Sequence, residues 1–251
     1  MIEKKKCVAV ILAGGKGKRM HADTAKQYLL LCGKPVLYYS LKAFEDSFID
    51  EIVLVTGKGE VSYCREEIVE RYGLCKVTMV VEGGRERYHS VAAGLCAITD
   101  CDYVFIHDGA RPFVAEEILM RAYETVQRWG TAIAAMPVKD TIKIADHEGF
   151  VKETPNRSSV WMMQTPQVFS FSSIRKAYQA LLAKEEELMD NGVQITDDAM
   201  VMETFGGGRV KLVEGSYRNI KITTPEDLAI AEALLLKIRE FVNAAEMPVS
   251  E

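Results

Sequence analysis

The chain of 251 residues has no Cys-x-x-Cys pair, and its six cysteines and four histidines are dispersed. That excludes the usual zinc-ligand spacings and a disulfide framework. The expectation is reduced, mostly buried cysteines in a cytosolic protein. An excess of positive charge is missing too: 31 Lys+Arg stand against 36 Asp+Glu, a net charge of −5. Nothing in that balance favours nucleic acid or an anionic membrane as partner, so any bound anion must be gripped by local cations and backbone N–H groups. No apolar run is long enough to cross a bilayer. The run after the basic start Met1-Ile2-Glu3-Lys4-Lys5-Lys6 ends at Gly14, with Gly15-Lys16 where a signal cleavage site would stand. A cytoplasmic protein is expected.

Internal repeats, low-complexity tracts and Ser/Gly linkers are also lacking, so one domain is the economical reading. What is present is an ordinary globular composition, 48% hydrophobic and 27% charged. Short apolar runs at 8–12, 52–55, 77–81, 103–106 and 132–136 read as strands. Segments of helical spacing lie between them at 36–44, 60–72, 88–98 and 116–129. This alternation is the pattern of an α/β protein with a mostly parallel sheet. A later helix should carry Ile174, Ala177, Tyr178, Leu181, Leu182 and Leu188 on one stripe, with Glu185-Glu186-Glu187 as a solvated flank. A last helix after Pro225 should use Leu228, Ile230, Leu234 and Leu235. Residues 138–161 break the pattern. They read as two short β segments around a turn at Glu148-Gly149, too polar for a core. A protruding β-arm that packs on a second copy of the chain explains both features.

The strongest local signal is Ala13-Gly14-Gly15-Lys16-Gly17-Lys18-Arg19-Met20, directly after the first strand. Glycines there let the backbone approach an anion and turn N–H groups toward it. The alternative is a plain tight turn. No Gly-Lys-Ser/Thr closes a Walker A loop, and the dinucleotide fingerprint lacks its third glycine at Met20. Three cations crowding the turn suit a nucleoside triphosphate. Lys26, six residues beyond Met20, could embrace the same phosphates or be merely solvated. His107-Asp108-Gly109-Ala110-Arg111 follows a strand, at the sheet edge where open α/β folds bind ligands. Asp108 could ligate Mg²⁺, and Arg111 could hold an anionic substrate, or the two could simply close a turn with an ion pair. Gly83-Gly84 with Ser90 offers a second set of backbone N–H groups, and His89 reads as a helix-surface residue. No nucleophile elbow, no His-Glu-x-x-His and no acid/base carboxylate pair is present. Nucleotidyl transfer to a phosphate oxygen needs no general base, because a phosphate monoester is largely dianionic at neutral pH.

Taken in order, residues 13–20, Lys26-Gln27, Gly83-Gly84 with Arg87 and Ser90-Val91, His107-Asp108 with Arg111-Pro112, Asp140-Thr141, Gln164-Thr165-Pro166-Gln167, Asn219-Ile220-Lys221 and Pro225-Glu226-Asp227-Leu228 resemble the 2-C-methyl-D-erythritol 4-phosphate cytidylyltransferase family. The resemblance implies a single Rossmann-like α/β domain with helices on both sheet faces and a dimerising β-arm. It also implies the reaction of CTP with methylerythritol 4-phosphate to give CDP-methylerythritol and pyrophosphate, in non-mevalonate isoprenoid synthesis. By matched position, Arg19 and Lys26 would stabilise the transition state on the triphosphate, with Ala13, Gly14, Gly15 and Gly17 lining its loop. Gly84 and Ser90 would meet the cytosine, Asp108 the Mg²⁺, and Asp108 and Gly109 would also contact substrate. Arg111, Thr165, Thr196 and Lys221 would address the sugar-alcohol phosphate. Arg157 and Thr141 would reach from the arm into the partner's site. Gly14 and Gly109 stand where the family often has Ala, and Arg85 where an acidic residue is sometimes found. Three other readings remain: ribitol-5-phosphate cytidylyltransferase, a nicotinamide-dependent oxidoreductase and a non-catalytic nucleotide sensor. Asp140-Thr141-Ile142-Lys143 favours methylerythritol over ribitol, and Thr56-Gly57-Lys58 lacks the acidic residue an oxidoreductase would need.

Overall fold

The computed structural model describes residues 5–15 and 25–245, with side chains described as far as Ile238. In chain order the elements are β1 (Cys7–Ala13), β2 (Leu30–Leu31), β3 (Lys34–Pro35), α1 (Val36–Glu45), β4 (Glu51–Thr56), α2 (Val61–Tyr63, continued as a π-helix over Cys64–Glu70), β5 (Val77–Glu82) and α3 (Arg87–Ala97). There follow β6 (Tyr103–Asp108), α4 (Glu116–Trp129), β7 (Thr131–Pro137), β8 (Ile144–Ala145), β9 (Val151–Glu153), β10 (Trp161–Ser170), α5 (Phe171–Ala183), α6 (Glu185–Asp190), α7 (Asp198–Phe205), β11 (Leu212–Glu214) and α8 (Pro225–Ala245).

The central sheet runs β11-β7-β10-β6-β1-β4-β5. Every pairing is parallel except those of β10, which is antiparallel to both neighbours. Strand β1 shows why these runs are strands buried on two faces. Cys7, Ala9, Ile11 and Ala13 enter one core with Leu37, Leu41, Ile118 and Leu119. Val8 and Val10 enter the other, with Val91, Leu95, Ile174 and Leu181. Helices therefore cover both faces, as the alternation predicts. At the end of α4, Gly130 takes the left-handed conformation (φ 72°) that stops the helix and turns the chain into β7.

The arm is a long excursion between β7 and β10. The two strands pair as it leaves and returns, Trp161 opposite Pro137, and β8 and β9 pair antiparallel near its tip. Gly149, at φ 89°, makes the tight turn. Ile144, Phe150 and Val151 are exposed there, with Phe150 at 69%.

Three sequence expectations need correction. Only Cys7 and Cys64 are buried; Cys32 and Cys101 are half-buried, Cys75 and Cys96 exposed, and none forms a disulfide. The helix from Ile174 breaks at Lys184, so Leu182 is exposed and Glu185 turns inward to accept bonds from Tyr88 and His89. On α8 the buried positions are Ala231 and Leu235, which leaves Ile230 half exposed, because the inward stripe is set by Phe113 and Ile222 beneath it. Strand β10, α7 and β11 were not legible: β10 is interrupted by Pro166, α7 is short, and β11 has three residues. Among the described residues, no helix is long and apolar enough to cross a membrane.

Candidate active site

Because β1, β4, β5 and β6 run parallel, their C-terminal ends share one sheet edge, and the motifs gather there. Ala13 ends β1, and Gly14 passes so close to β4 that a Cβ would lie 3.1 Å from the Thr56 carbonyl. At Gly15 a Cβ would meet nothing within 4 Å among the described residues. Gly17 and Arg19 lie outside the described residues. Lys26 opens a 3-10 turn, Lys26–Tyr28, whose buried Gln27 donates to the Ala13 carbonyl. The turn is thereby fastened to the glycine loop.

On the neighbouring strand end, Gly83 N–H donates to the Thr56 carbonyl at 2.8 Å, and Gly84 N–H to Ser90 Oγ at 3.2 Å. A Cβ at Gly84 would overlap that of His89, so only glycine lets the loop fold onto α3. His89 is half-buried near the start of α3. Its Nδ1 accepts the Glu86 N–H in a capping box, which leaves Nε2–H to donate to Glu185.

Asp108, at the end of β6, is the centre of charge. Lys221 Nζ lies 2.8 Å from its Oδ2, Arg111 Nε 3.6 Å from the same oxygen, and Arg87 Nε 3.7 Å from Oδ1. Burial alone would raise its pKa. The three cations overcome that and hold the carboxyl well below the usual carboxylate range. Asp108 and Arg111 thus do form the anticipated ion pair, within a larger cage. Gly109 N–H donates to the Leu12 carbonyl, and a Cβ there would lie 2.9 Å from that oxygen and 2.8 Å from Leu37 Cδ1. In this chain an alanine at 109 would have to displace Leu37 and backbone.

Thr165 sits behind Asp108, and its hydroxyl is spoken for. It accepts the Asp108 N–H at 3.0 Å and lies 3.0 Å from His107 Nδ1. Burial pushes the His107 pKa down to about 4, so the ring is neutral at pH 7. Its Nε2 faces the Arg111 carbonyl at 3.2 Å, which can only accept, so the proton is on Nε2. Nδ1 is then the acceptor for the Thr165 O–H. The buried Asn219 side chain donates to the Thr165 carbonyl and to Gln164 Oε1, and the Asn219 backbone carbonyl accepts Arg111 Nη1–H at 2.7 Å. This fixes the loop that carries Lys221.

Thr196 is exposed just before α7. The start of that helix is pinned to the site by Gln167, which donates to Asp197, and by Arg87, which bonds Asp198 twice. Arg157 and Thr141 stay on the exposed arm, where Arg157 donates to the Lys139 carbonyl. Within one chain the structure therefore unites Ala13, Gly14, Gly15, Lys26, Gly84, Ser90, Asp108, Gly109, Arg111, Thr165 and Lys221 along one edge, and leaves the two arm residues apart. Sequence reasoning gave no role to Arg87, His107, Asn219 or Asp198. The first three lie inside the quoted motifs; Asp198 gave no signal beyond its place after Thr196-Asp197. A cavity of about 620 Å³, lined by Asp102, Phe171, Arg175 and others, opens at the opposite sheet edge and contains none of these residues.

Among the described residues no cluster of three or more metal-ligating side chains exists. Asp108, a lone carboxylate beside the glycine loop among the described residues, fits a magnesium ion that would bring its other ligands as phosphate oxygens and water. It does not fit a resident metal cage. An edge that collects cations and backbone N–H groups, with no acid–base pair among the described residues, suits transfer of a phosphate-bearing group; the class it defines is an α/β nucleotidyltransferase.

Comparison with known proteins narrows the class. The family model for 2-C-methyl-D-erythritol 4-phosphate cytidylyltransferase matches residues 7–237. The enzyme of that name from Lachnoclostridium phytofermentans is 48% identical over 237 residues, 94% of this chain and 99% of that one. The one from Lachnospira eligens is 51% identical over 228 residues, 90% of this chain and 98% of that one. Among solved structures, 4-diphosphocytidyl-2C-methyl-D-erythritol synthase from Anaerococcus prevotii superposes with a TM-score of 0.79 at 36% identity, covering 92% and 96% of the two chains. The chain belongs to the 2-C-methyl-D-erythritol 4-phosphate cytidylyltransferase family.

Proposed function

We propose that this site joins CTP to 2-C-methyl-D-erythritol 4-phosphate, releasing pyrophosphate. A phosphate oxygen of the acceptor attacks the α-phosphorus of CTP; the new P–O bond forms as the bond to the β-phosphate oxygen breaks. The observation that carries the reading is the Asp108 cage beside the glycine loop: Lys221, Arg111 and Arg87 converge on one carboxylate at the edge where the loop ends. Such a site brings two anions together and screens their repulsion, which is most of what this reaction requires.

In this reading Ala13, Gly14, Gly15 and Gly17 receive the triphosphate, and Arg19 and Lys26 stabilise charge as it develops. Gly84 and Ser90 meet the cytosine, and Gly109 lies along the nucleoside. Arg111, Lys221, Thr196 and the Thr165 backbone face the acceptor. Asp108 would hold Mg²⁺, which when bound draws charge from the phosphate oxygens. Arg157 and Thr141 complete the site of a second copy of the same single-domain chain, docked through the arm. The exposed Ile144, Phe150 and Val151 at its tip support that docking.

The test is pyrophosphate release from CTP with methylerythritol 4-phosphate and, separately, with ribitol 5-phosphate. Turnover with the first alone supports the assignment. Preference for the second reassigns the acceptor, and no turnover with either removes the catalytic reading.

A further inference from the structure

The turn that carries Lys26 is fastened at two points. Gln27 ties it to the end of β1, as described. At its other end, Tyr28 Oη–H donates to Glu60 Oε2 across 2.6 Å, and the same oxygen accepts the Gly57 N–H at 3.1 Å, just past β4. Cys64 Sγ lies 3.0 Å from the phenol oxygen. Burial, with Cys64 and Glu60 close by, pushes the phenol pKa up, and burial raises the Cys64 thiol to about 11, so both keep their protons. With the phenol O–H directed at Glu60, the thiol donates to the phenol oxygen. A directional chain results: Cys64 to Tyr28 to Glu60, with Gly57 N–H closing it from the other side.

This chain is more than ring burial. The Tyr28 ring already packs edge-on against Tyr63, with centroids 5.0 Å apart, and a phenylalanine would keep that contact. What the hydroxyl adds is a charge-assisted bond to a carboxylate anchored on the adjoining strand end. Gly57 leaves room for it, since a Cβ there would meet the Glu60 carboxyl oxygens at 2.7 and 3.0 Å.

We propose that Tyr28 and Glu60 are positioning residues: they fix the Lys26 turn between the ends of β1 and β4, so that the lysine meets the triphosphate preorganised. The inference rests on the reading of Lys26 given above. A cation aimed at developing charge gains its effect from being held in place before the reaction.

The experiment is a set of steady-state measurements with CTP and methylerythritol 4-phosphate. Tyr28→Phe is expected to lower kcat about 10- to 100-fold with KM for CTP little changed. Glu60→Ala should do the same, and Glu60→Gln, which can still accept the phenol proton, should recover most of kcat. The double variant Lys26→Ala/Tyr28→Phe should be no slower than Lys26→Ala alone, because Tyr28 acts through the lysine. Unchanged kcat in Tyr28→Phe and Glu60→Ala, with only a lower melting temperature, overturns the proposal. So does a double variant in which the two losses multiply. A Lys26→Ala enzyme with normal kcat would instead overturn the underlying reading of the site.

Discussion

Arg87 and Asp198 form a two-pronged ion pair, with hydrogen bonds of 2.8 and 2.7 Å, and the Asp198 side chain is wholly buried. One guanidinium thus joins the start of α3, on the proposed base side of the edge, to the start of α7, on the proposed acceptor side. Removing one partner of such a pair leaves the other charge buried and unpaired. Arg87→Met is expected to destabilise the fold by about 3–5 kcal/mol. Arg87→Lys should recover only part, because an ammonium cannot make the fork. Urea unfolding of the three proteins at pH 7 measures this; a loss below about 1 kcal/mol in Arg87→Met would mean that the pair is not a structural tie.

Buried His107 makes a second expectation, on pH. Its pKa falls from 6.5 to about 4 on folding. Between those values the unfolded chain binds a proton that the folded chain does not, so stability rises with pH. The contribution is complete above pH 6.5 and is lost as pH falls toward 4, up to roughly 3 kcal/mol. His107→Gln keeps a donor for the Arg111 carbonyl but does not titrate. It should be less stable than the native chain at pH 7, yet lose less between pH 7 and pH 4. Equal slopes in the two proteins would show that His107 does not carry this pH dependence.

The strands and helices that pack on both faces could be read from apolar spacing because burial on two sides writes a continuous run, as in Val8-Ala9-Val10-Ile11. The arm was legible for the opposite reason, a stretch too polar to be core. Strand β10 was hidden because Gln164-Thr165-Pro166-Gln167 spends its side chains on the site rather than on apolar packing. Gln164 and Gln167 bond loops, Thr165 bonds His107 and Asp108, and none of them alternates. Asp108 and Lys221 could each be named from motifs, but their 2.8 Å contact could not. It joins positions far apart in sequence and depends on the Asn219 loop returning to the end of β6.

Asp108 itself gives the third expectation. Asp108→Asn keeps the shape and the backbone bond to Thr165 but removes the charge that three cations surround. Pyrophosphate release should fall by roughly 10²-fold or more, since stabilisation of transition-state charge is commonly worth that much. The Mg²⁺ concentration for half-maximal rate should rise. Normal activity at ordinary Mg²⁺ would reduce Asp108 to the closing member of its turn.

The arm yields the last expectation, and it needs no structure of a complex. The exposed Arg157 side chain donates to the Lys139 carbonyl on its own arm, whereas the Lys26 turn is fastened to β1 at the sheet edge. If Arg157 of one chain completes the site built on Lys26 of the other, the homodimers Arg157→Ala and Lys26→Ala should both be nearly inactive. Random exchange of subunits between the two gives about half heterodimers. In each heterodimer one site collects both lesions and the other collects none. The mixture should therefore recover roughly a quarter of native activity, all of it from intact sites. Were Arg157 to serve its own chain, every site in every dimer would carry one lesion and mixing would restore nothing. Exchange can be followed independently by mass-tagging one variant and observing the mixed dimer. Mixed dimers present without recovered activity would remove Arg157 from the partner's site, and recovery near one quarter would place it there.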